Sequence, residues 1–139
     1  MYVKQIYTNC LSQASYYIES NRDAIIIDPI RDSALYMNLI KERKSNVKYI
    51  FETHFHADFI SGHLDLSKLL NAPIVFGPDA STNYNIINAK HEQLFEIGNI
   101  KIQVLHTPGH TPESSCLLLY DEEGNRHSVF TGDTLFVGE

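Results

Sequence analysis

The stretch VKYIFETHFHADFISGHLDLSKLL, residues 47–70, changes character twice. It begins as an apolar run from Val47 to Phe51, passes through Glu52-Thr53-His54-Phe55-His56-Ala57-Asp58, and ends with Phe59, Ile60, His63, Leu64, Leu66, Leu69 and Leu70 at helical spacing. That order predicts a strand over 47–53, a loop rich in imidazole and carboxylate groups, and a helix ended by Asn71 and Pro73. In α/β sheets, ligands gather at the carboxyl ends of strands, where this loop would lie. Three of the seven histidines fall within residues 52–63, a density that an ordinary solvated turn does not need.

His54 and His56 are two apart, so an extended backbone points both to one side, and Asp58 can turn back toward them. Two further loops carry similar groups. His110 follows Pro108-Gly109, a tight-turn pair that aims the next side chain. Asp133 follows the apolar strand of HSVFTGD, residues 127–133. Imidazole nitrogen with carboxylate oxygen suits zinc, iron, manganese or a related ion. Taken singly, His110 and Asp133 read more readily as turn residues than as ligands; the ordered combination HxHxD, TPGHT and TGD is far more specific. His63 shares a helix face with Phe59 and Leu66, which predicts a partly buried, hydrogen-bonded histidine. His106 reads as structural support, and His91 and His127 as exposed residues flanking turns. Ser61 and Gly62 could approach a substrate or simply pack.

Around this centre the pattern alternates strands and helices, then turns strand-rich. Strands are predicted over 3–8, 15–20 and 23–29, with Asn21-Arg22 as a hairpin turn and Ala24–Ile27 apolar enough to be buried on both faces. Asp32-Ser33 opens a helix whose apolar positions are Ala34, Leu35, Met37, Leu39 and Ile40 and whose end is basic, Lys41–Lys44. Residues 79–91 read as loop or a short helix. Further strands are predicted over 73–78, 93–98, 100–108, 114–121 and 127–133, with hairpin turns at Gly98-Asn99 and Glu123-Gly124-Asn125. The expectation is one α/β layered domain over 1–139.

The bulk composition sets limits. A 139-residue chain that is 43% hydrophobic can bury a core as one domain. A net charge of −6 with no basic stripe argues against a nucleic-acid partner. Lys41, Arg43, Lys44 and Lys48 read as a solvated helix end followed by a strand. No apolar run is long enough for a membrane-spanning helix, and the start lacks a signal-peptide pattern, so the expected location is the cytoplasm. Cys10 and Cys116 belong to no CxxC pattern and are expected as reduced thiols. The chain stops at LFVGE, directly after a strand and an acid-bearing turn, which suggests a piece of something longer.

THFHAD (53–58), TPGHTPES (107–114) and FTGDTLF (130–136) resemble the metal-binding motifs of the metallo-β-lactamase fold, in the same order. ETHFHADFISGH and TGDTLFVGE are similar to the versions found in persulfide dioxygenases, including those fused to rhodanese domains. The resemblance implies an αββα sandwich, truncated after its first half and part of its second, with the metal at the edge of the two sheets. It implies one Fe(II) held by His54, His110 and Asp133. His56 and Asp58 would then stand beside the ligands as catalytic residues. Two-metal hydrolytic relatives carry histidine after the motif aspartate, where this chain has Phe59; a phenylalanine cannot ligate, which favours one metal.

On that reading, two histidines and one carboxylate leave open positions on iron for a small-molecule thiol persulfide and O2, and the sulfane sulfur is oxidised to sulfite. Two alternatives stay open. With His56 and Asp58 as additional ligands, zinc would activate water for thioester hydrolysis, as in glyoxalase II. The chain could also be a metal-binding or interaction fragment without activity. Its missing second half would leave an open apolar flank on which copies could associate as a homo-oligomer. The thiol carrier is not legible.

Overall fold

The computed structural model describes residues 1–8, 13–55, 62–109 and 111–132. β1 (Tyr2–Thr8), β2 (Gln13–Ser20) and β3 (Asp23–Ile27) form an antiparallel meander. Asn21 and Arg22 both take left-handed backbone, φ 50° and 68°, which is the two-residue turn expected there and sets Ser20 opposite Asp23. The chain then crosses through α1 (Ser33–Arg43) to β4 (Asn46–Phe51), parallel to β3. It crosses again through α2 (His63–Leu70) to β5 (Ile74–Phe76), and β6 (Ile87–Asn88) adds to the edge, both parallel to their neighbours. The second sheet is the antiparallel run β7 (Leu94–Ile97), β8 (Ile100–His106), β9 (Ser115–Tyr120) and β10 (Arg126–Phe130), in spatial order β10-β9-β8-β7.

The sheets face each other across one core. Ile18, Ile25, Ile27, Phe51 and Val75 pack against Phe95, Ile97, Ile102, Val104, Leu117, Leu119 and Phe130. Phe51 and Phe95 meet edge to face at 5.3 Å. The other face of the first sheet, with Tyr17, Ala24, Ile26 and Ile50, is covered by Tyr36 and Leu39 of α1 and Leu66 of α2. Burial on both sides is why Ala24–Ile27 is unbroken apolar sequence. The described residues thus supply a helical layer and both sheets of the expected sandwich.

Asp32 caps α1 as read, its side chain accepting the Ala34 amide at 3.0 Å. The face that α1 buries differs from the expected one. Leu35 is exposed, and Tyr36 is the anchor. Its hydroxyl donates to Ser15 Oγ at 2.7 Å and accepts the Ile30 amide at 2.9 Å, so a polar tip is carried into the core fully bonded. Burial pushes that hydroxyl up to about 12. Arg43 is likewise more than solvated: it bonds Glu19 and lies over the ring of Tyr2. α2 starts at His63, and Asn71 ends it in left-handed conformation as expected. Phe59, Ile60 and Ser61 lie outside the described residues, as does Cys10. Because β3, β4 and β5 run parallel, their carboxyl ends, at Asp28, Glu52–His54 and Gly77, lie along one edge of the sheet.

Candidate metal centre

The site is built outward from Asp28, the first residue past β3. Asp28 takes left-handed backbone, φ 48°, and donates its amide to Phe51 O at 2.9 Å. That bend turns its carboxylate onto the end of β4. Oδ1 accepts the Thr53 amide at 2.8 Å and Oδ2 accepts the Thr53 hydroxyl at 2.7 Å. A hydroxyl has one proton, and here it goes to Asp28. The Thr53 oxygen is therefore the acceptor in its 2.9 Å contact with His54 Nδ1. The proton of His54 is assigned to Nδ1 and its electron pair to Nε2, the state an imidazole needs to bind a metal. His54 is only 3% exposed, so this arrangement is held in a low-dielectric setting.

The second motif docks on the same residues. Ser115 donates its amide to Thr53 O at 2.9 Å, and the buried Glu113 accepts the Phe55 amide through Oε1 at 3.0 Å. On either side of His110 the chain closes on itself: Thr107 donates to Ser114 O at 2.9 Å, Gly109 to Thr111 O at 3.3 Å, and Thr111 to Ser114 Oγ at 3.2 Å. The third motif arrives through Gly132, with φ 55°. A Cβ on Gly132 would lie 2.5 Å from Thr53 Oγ1 and 3.4 Å from His54 Nδ1. Only a glycine permits this approach, and it seats the residue before Asp133 directly on the Thr53–His54 pair.

The structure therefore brings together the flanks of all three motifs, with His54 among them. His56, Asp58, His110 and Asp133 lie outside the described residues, and among the described residues no three His, Cys, Asp or Glu side chains form a metal-holding group. The chemistry of what is described fits a metal: a buried imidazole with its tautomer fixed for ligation, at the meeting point of loops rich in further donors.

The remaining histidines take supporting places. His106 donates Nε2–H to Pro112 O at 2.9 Å, bracing the second motif. His91 is exposed as expected, yet its Nδ1 accepts the His106 amide at 3.0 Å. His127 is exposed beside Ser128. His63 is partly buried, shares a hydrogen bond of 2.9 Å with the Tyr84 hydroxyl, and has Nδ1 3.2 Å from Glu52 Oε1. Gly62 packs closely beneath the Ile30 carbonyl, where a Cβ would lie 2.2 Å from that oxygen. Sequence reasoning missed Asp28 and Glu113. Asp28 did carry a signal, an acid at the end of an apolar strand like Asp133. Glu113 carried none beyond its place in the second motif.

The family model of the metallo-beta-lactamase superfamily matches residues 8–85. A probable hydroxyacylglutathione hydrolase of Schizosaccharomyces pombe is 36% identical over 121 residues, covering 85% of this chain and 46% of its own. The solved metallo-beta-lactamase from Staphylococcus aureus subsp. aureus COL superposes with a TM-score of 0.90 at 41% identity, over 99% of this chain and 43% of that one. ETHE1 from Myxococcus xanthus gives 0.86 at 31% identity, over 99% of this chain and 59% of its own. The chain spans about half the length of the curated relatives it matches.

Proposed function

Because the chain belongs to the metallo-beta-lactamase superfamily, we propose that it is the metal-holding part of an enzyme that oxidises a low-molecular-weight thiol persulfide with O2. The observation that carries a metal function is the Asp28–Thr53–His54 chain, which commits the Nδ1 proton and leaves the electron pair on Nε2. The dioxygenase assignment is supported by the persulfide-dioxygenase character of the motifs, by the fold likeness to ETHE1, and by Phe59 at the position where two-metal hydrolases carry histidine.

In this reading His54, His110 and Asp133 hold one iron, which supplies the one-electron steps that O2 requires. The protein's own residues do the rest. Asp28 and Thr53 keep the His54 proton on Nδ1. Glu113 fixes the backbone at Phe55, immediately before His56. By the family resemblance of the motif, His56 and Asp58 would be the catalytic residues beside the ligands. The overall change balances as persulfide plus O2 plus water giving thiol plus sulfurous acid, which ionises to sulfite. The sulfane sulfur is oxidised, the S–S bond breaks, and water supplies the third oxygen. A rhodanese domain, fused or separate, is the proposed sulfur-handling partner.

A second reading is favoured by the Schizosaccharomyces pombe relative. There His56 and Asp58 join the ligands, the metal is zinc, and the substrate is a thioester. One assay separates the two. The anaerobically purified, metal-loaded protein is given glutathione persulfide, coenzyme A persulfide, or an acyl-glutathione thioester. O2 uptake matched by sulfite release is expected. Thioester hydrolysis without O2 uptake would replace the dioxygenase with the hydrolase.

A further inference from the structure

Among the described residues the two sheets have four edge strands, and three of them are guarded against pairing with another chain. β6 is two residues long, β7 is four, and β10 carries a register shift between Arg126 and Ser128. Short strands and bulges blunt an edge whose free N–H and C=O groups otherwise offer a template for a further strand. β1 has neither. It runs seven residues in unbroken register with β2, from Tyr2 opposite Glu19 to Thr8 opposite Gln13. It holds no proline and a single charged side chain, Lys4.

Side chains of β1 alternate between the two faces of its sheet. Tyr2 and Ile6 pack against the core under the helices. Val3 and Tyr7 belong to the other face, where Val3 stands opposite Ile18 of the inter-sheet core, yet they are 40% and 56% exposed. The second sheet stops short of them. Its edge strand β10 lies over β2, where Phe130 meets Tyr16 at 4.6 Å.

The order of residues along β1 is self-complementary. Laid antiparallel on a second copy about Gln5, it sets Val3 opposite Tyr7 and Tyr7 opposite Val3. The two exposed apolar side chains of each copy then meet as β-branched–aromatic pairs, a favourable cross-strand combination. On the other face Lys4 lies opposite Ile6, its stem along the apolar side chain and its ammonium in water. The two-fold axis of this pair stands perpendicular to the sheet, so both helical layers fall on one side and both second sheets on the other. An edge about 24 Å long and about 10 Å thick buries on the order of 1,000 Å² over the two copies, the lower bound for a specific interface. That area fits a reversible dimer and not an obligate one.

We propose that β1 pairs antiparallel with β1 of a second copy, centred on Gln5, and joins the two six-stranded sheets into one. β2 and β3 separate this edge from β4, the strand that leads to His54, so the proposal stands independently of the metal reading. Sedimentation velocity of the full chain in reducing buffer, from micromolar to sub-millimolar concentration, measures the association. Wild type should pass from monomer to dimer as concentration rises. Tyr7→Lys strikes both symmetric pairs at an exposed position and should stay monomeric throughout.

Cross-linking reads the register, with single cysteines placed in a chain carrying Cys10→Ser; Cys116 is buried. Gln5→Cys sets two thiols opposite each other with Cα atoms about 5 Å apart, inside the disulfide range, and diamide should convert it to a covalent dimer. Val3→Cys faces Tyr7 and lies about 14 Å along the strand from its own counterpart, so the same oxidation should give no covalent dimer. A wild-type chain that is monomeric at every concentration overturns the proposal. A dimer that survives Tyr7→Lys overturns it by placing the contact elsewhere. Cross-linking of Val3→Cys as fast as Gln5→Cys overturns the register.

Discussion

Asp28 takes both protons that Thr53 has to give, the amide through Oδ1 at 2.8 Å and the hydroxyl through Oδ2 at 2.7 Å. The pair spans two parallel strands and makes the Thr53 oxygen an acceptor for His54 Nδ1. Thr53→Val keeps the shape and removes that oxygen. It should weaken metal binding about tenfold and destabilise the fold by about 1–3 kcal/mol, because Asp28 and His54 each lose a buried partner. Thr53→Ser should restore both. Chelator competition and thermal melts of the three proteins check this, and unchanged affinity in the valine variant would remove the relay from the account.

Gly132 tests whether the third motif needs its seat on Thr53. Gly132→Ala adds a Cβ 2.5 Å from the Thr53 hydroxyl and forces a side chain onto φ 55°. Gly124 has φ 83° with open space around it, so Gly124→Ala carries the backbone term alone, about 1 kcal/mol. Melting should show Gly132→Ala clearly worse than Gly124→Ala, with metal affinity lowered only in the former. Equal losses would mean that the close approach is relaxed at no cost.

The ligand set separates the two chemistries. His54→Ala, His110→Ala and Asp133→Ala should each abolish stoichiometric metal, measured by elemental analysis after desalting. His56→Ala should retain iron and lose turnover. Metal loss in His56→Ala would place that histidine on the metal and favour the zinc hydrolase reading.

Glu19 gives a pH dependence away from the site. Burial raises its carboxyl, but hydrogen bonds from Arg43, at 2.7 Å and 3.3 Å, and from Tyr17 outweigh burial and hold it below 4.5. A folded value below the unfolded one gives stability that is present above pH 4.5 and lost as pH falls. Wild type should therefore melt above Glu19→Gln near neutral pH, with the difference shrinking below pH 4.5. A gap that did not change with pH would show that Arg43 contributes by packing on Tyr2 alone.

The strands and hairpins were legible because turn chemistry and apolar runs are local. Asn21-Arg22 and Gly98-Asn99 each mark their turn, and Ala24–Ile27 announces burial on both faces. Tyr36 was missed because its hydroxyl looks polar in sequence, while its partners, Ser15 and Ile30, are found only after β2 and α1 pack. The same limit governs the site. His54 is legible from its own motif, whereas Asp28 and Glu113 act across 25 and 58 residues of sequence. Nothing local pairs them with Thr53 or Phe55; the parallel β3–β4 step and the docking of the second sheet do.

Elemental analysis of anaerobically purified protein tests the central claim most directly. About one iron per chain and little zinc is the expected result for a site with two histidines, one aspartate and Phe59 in place of a further ligand. Two zinc ions per chain would contradict the single-iron centre, and a chain without metal would contradict the reading of His54 as a ligand.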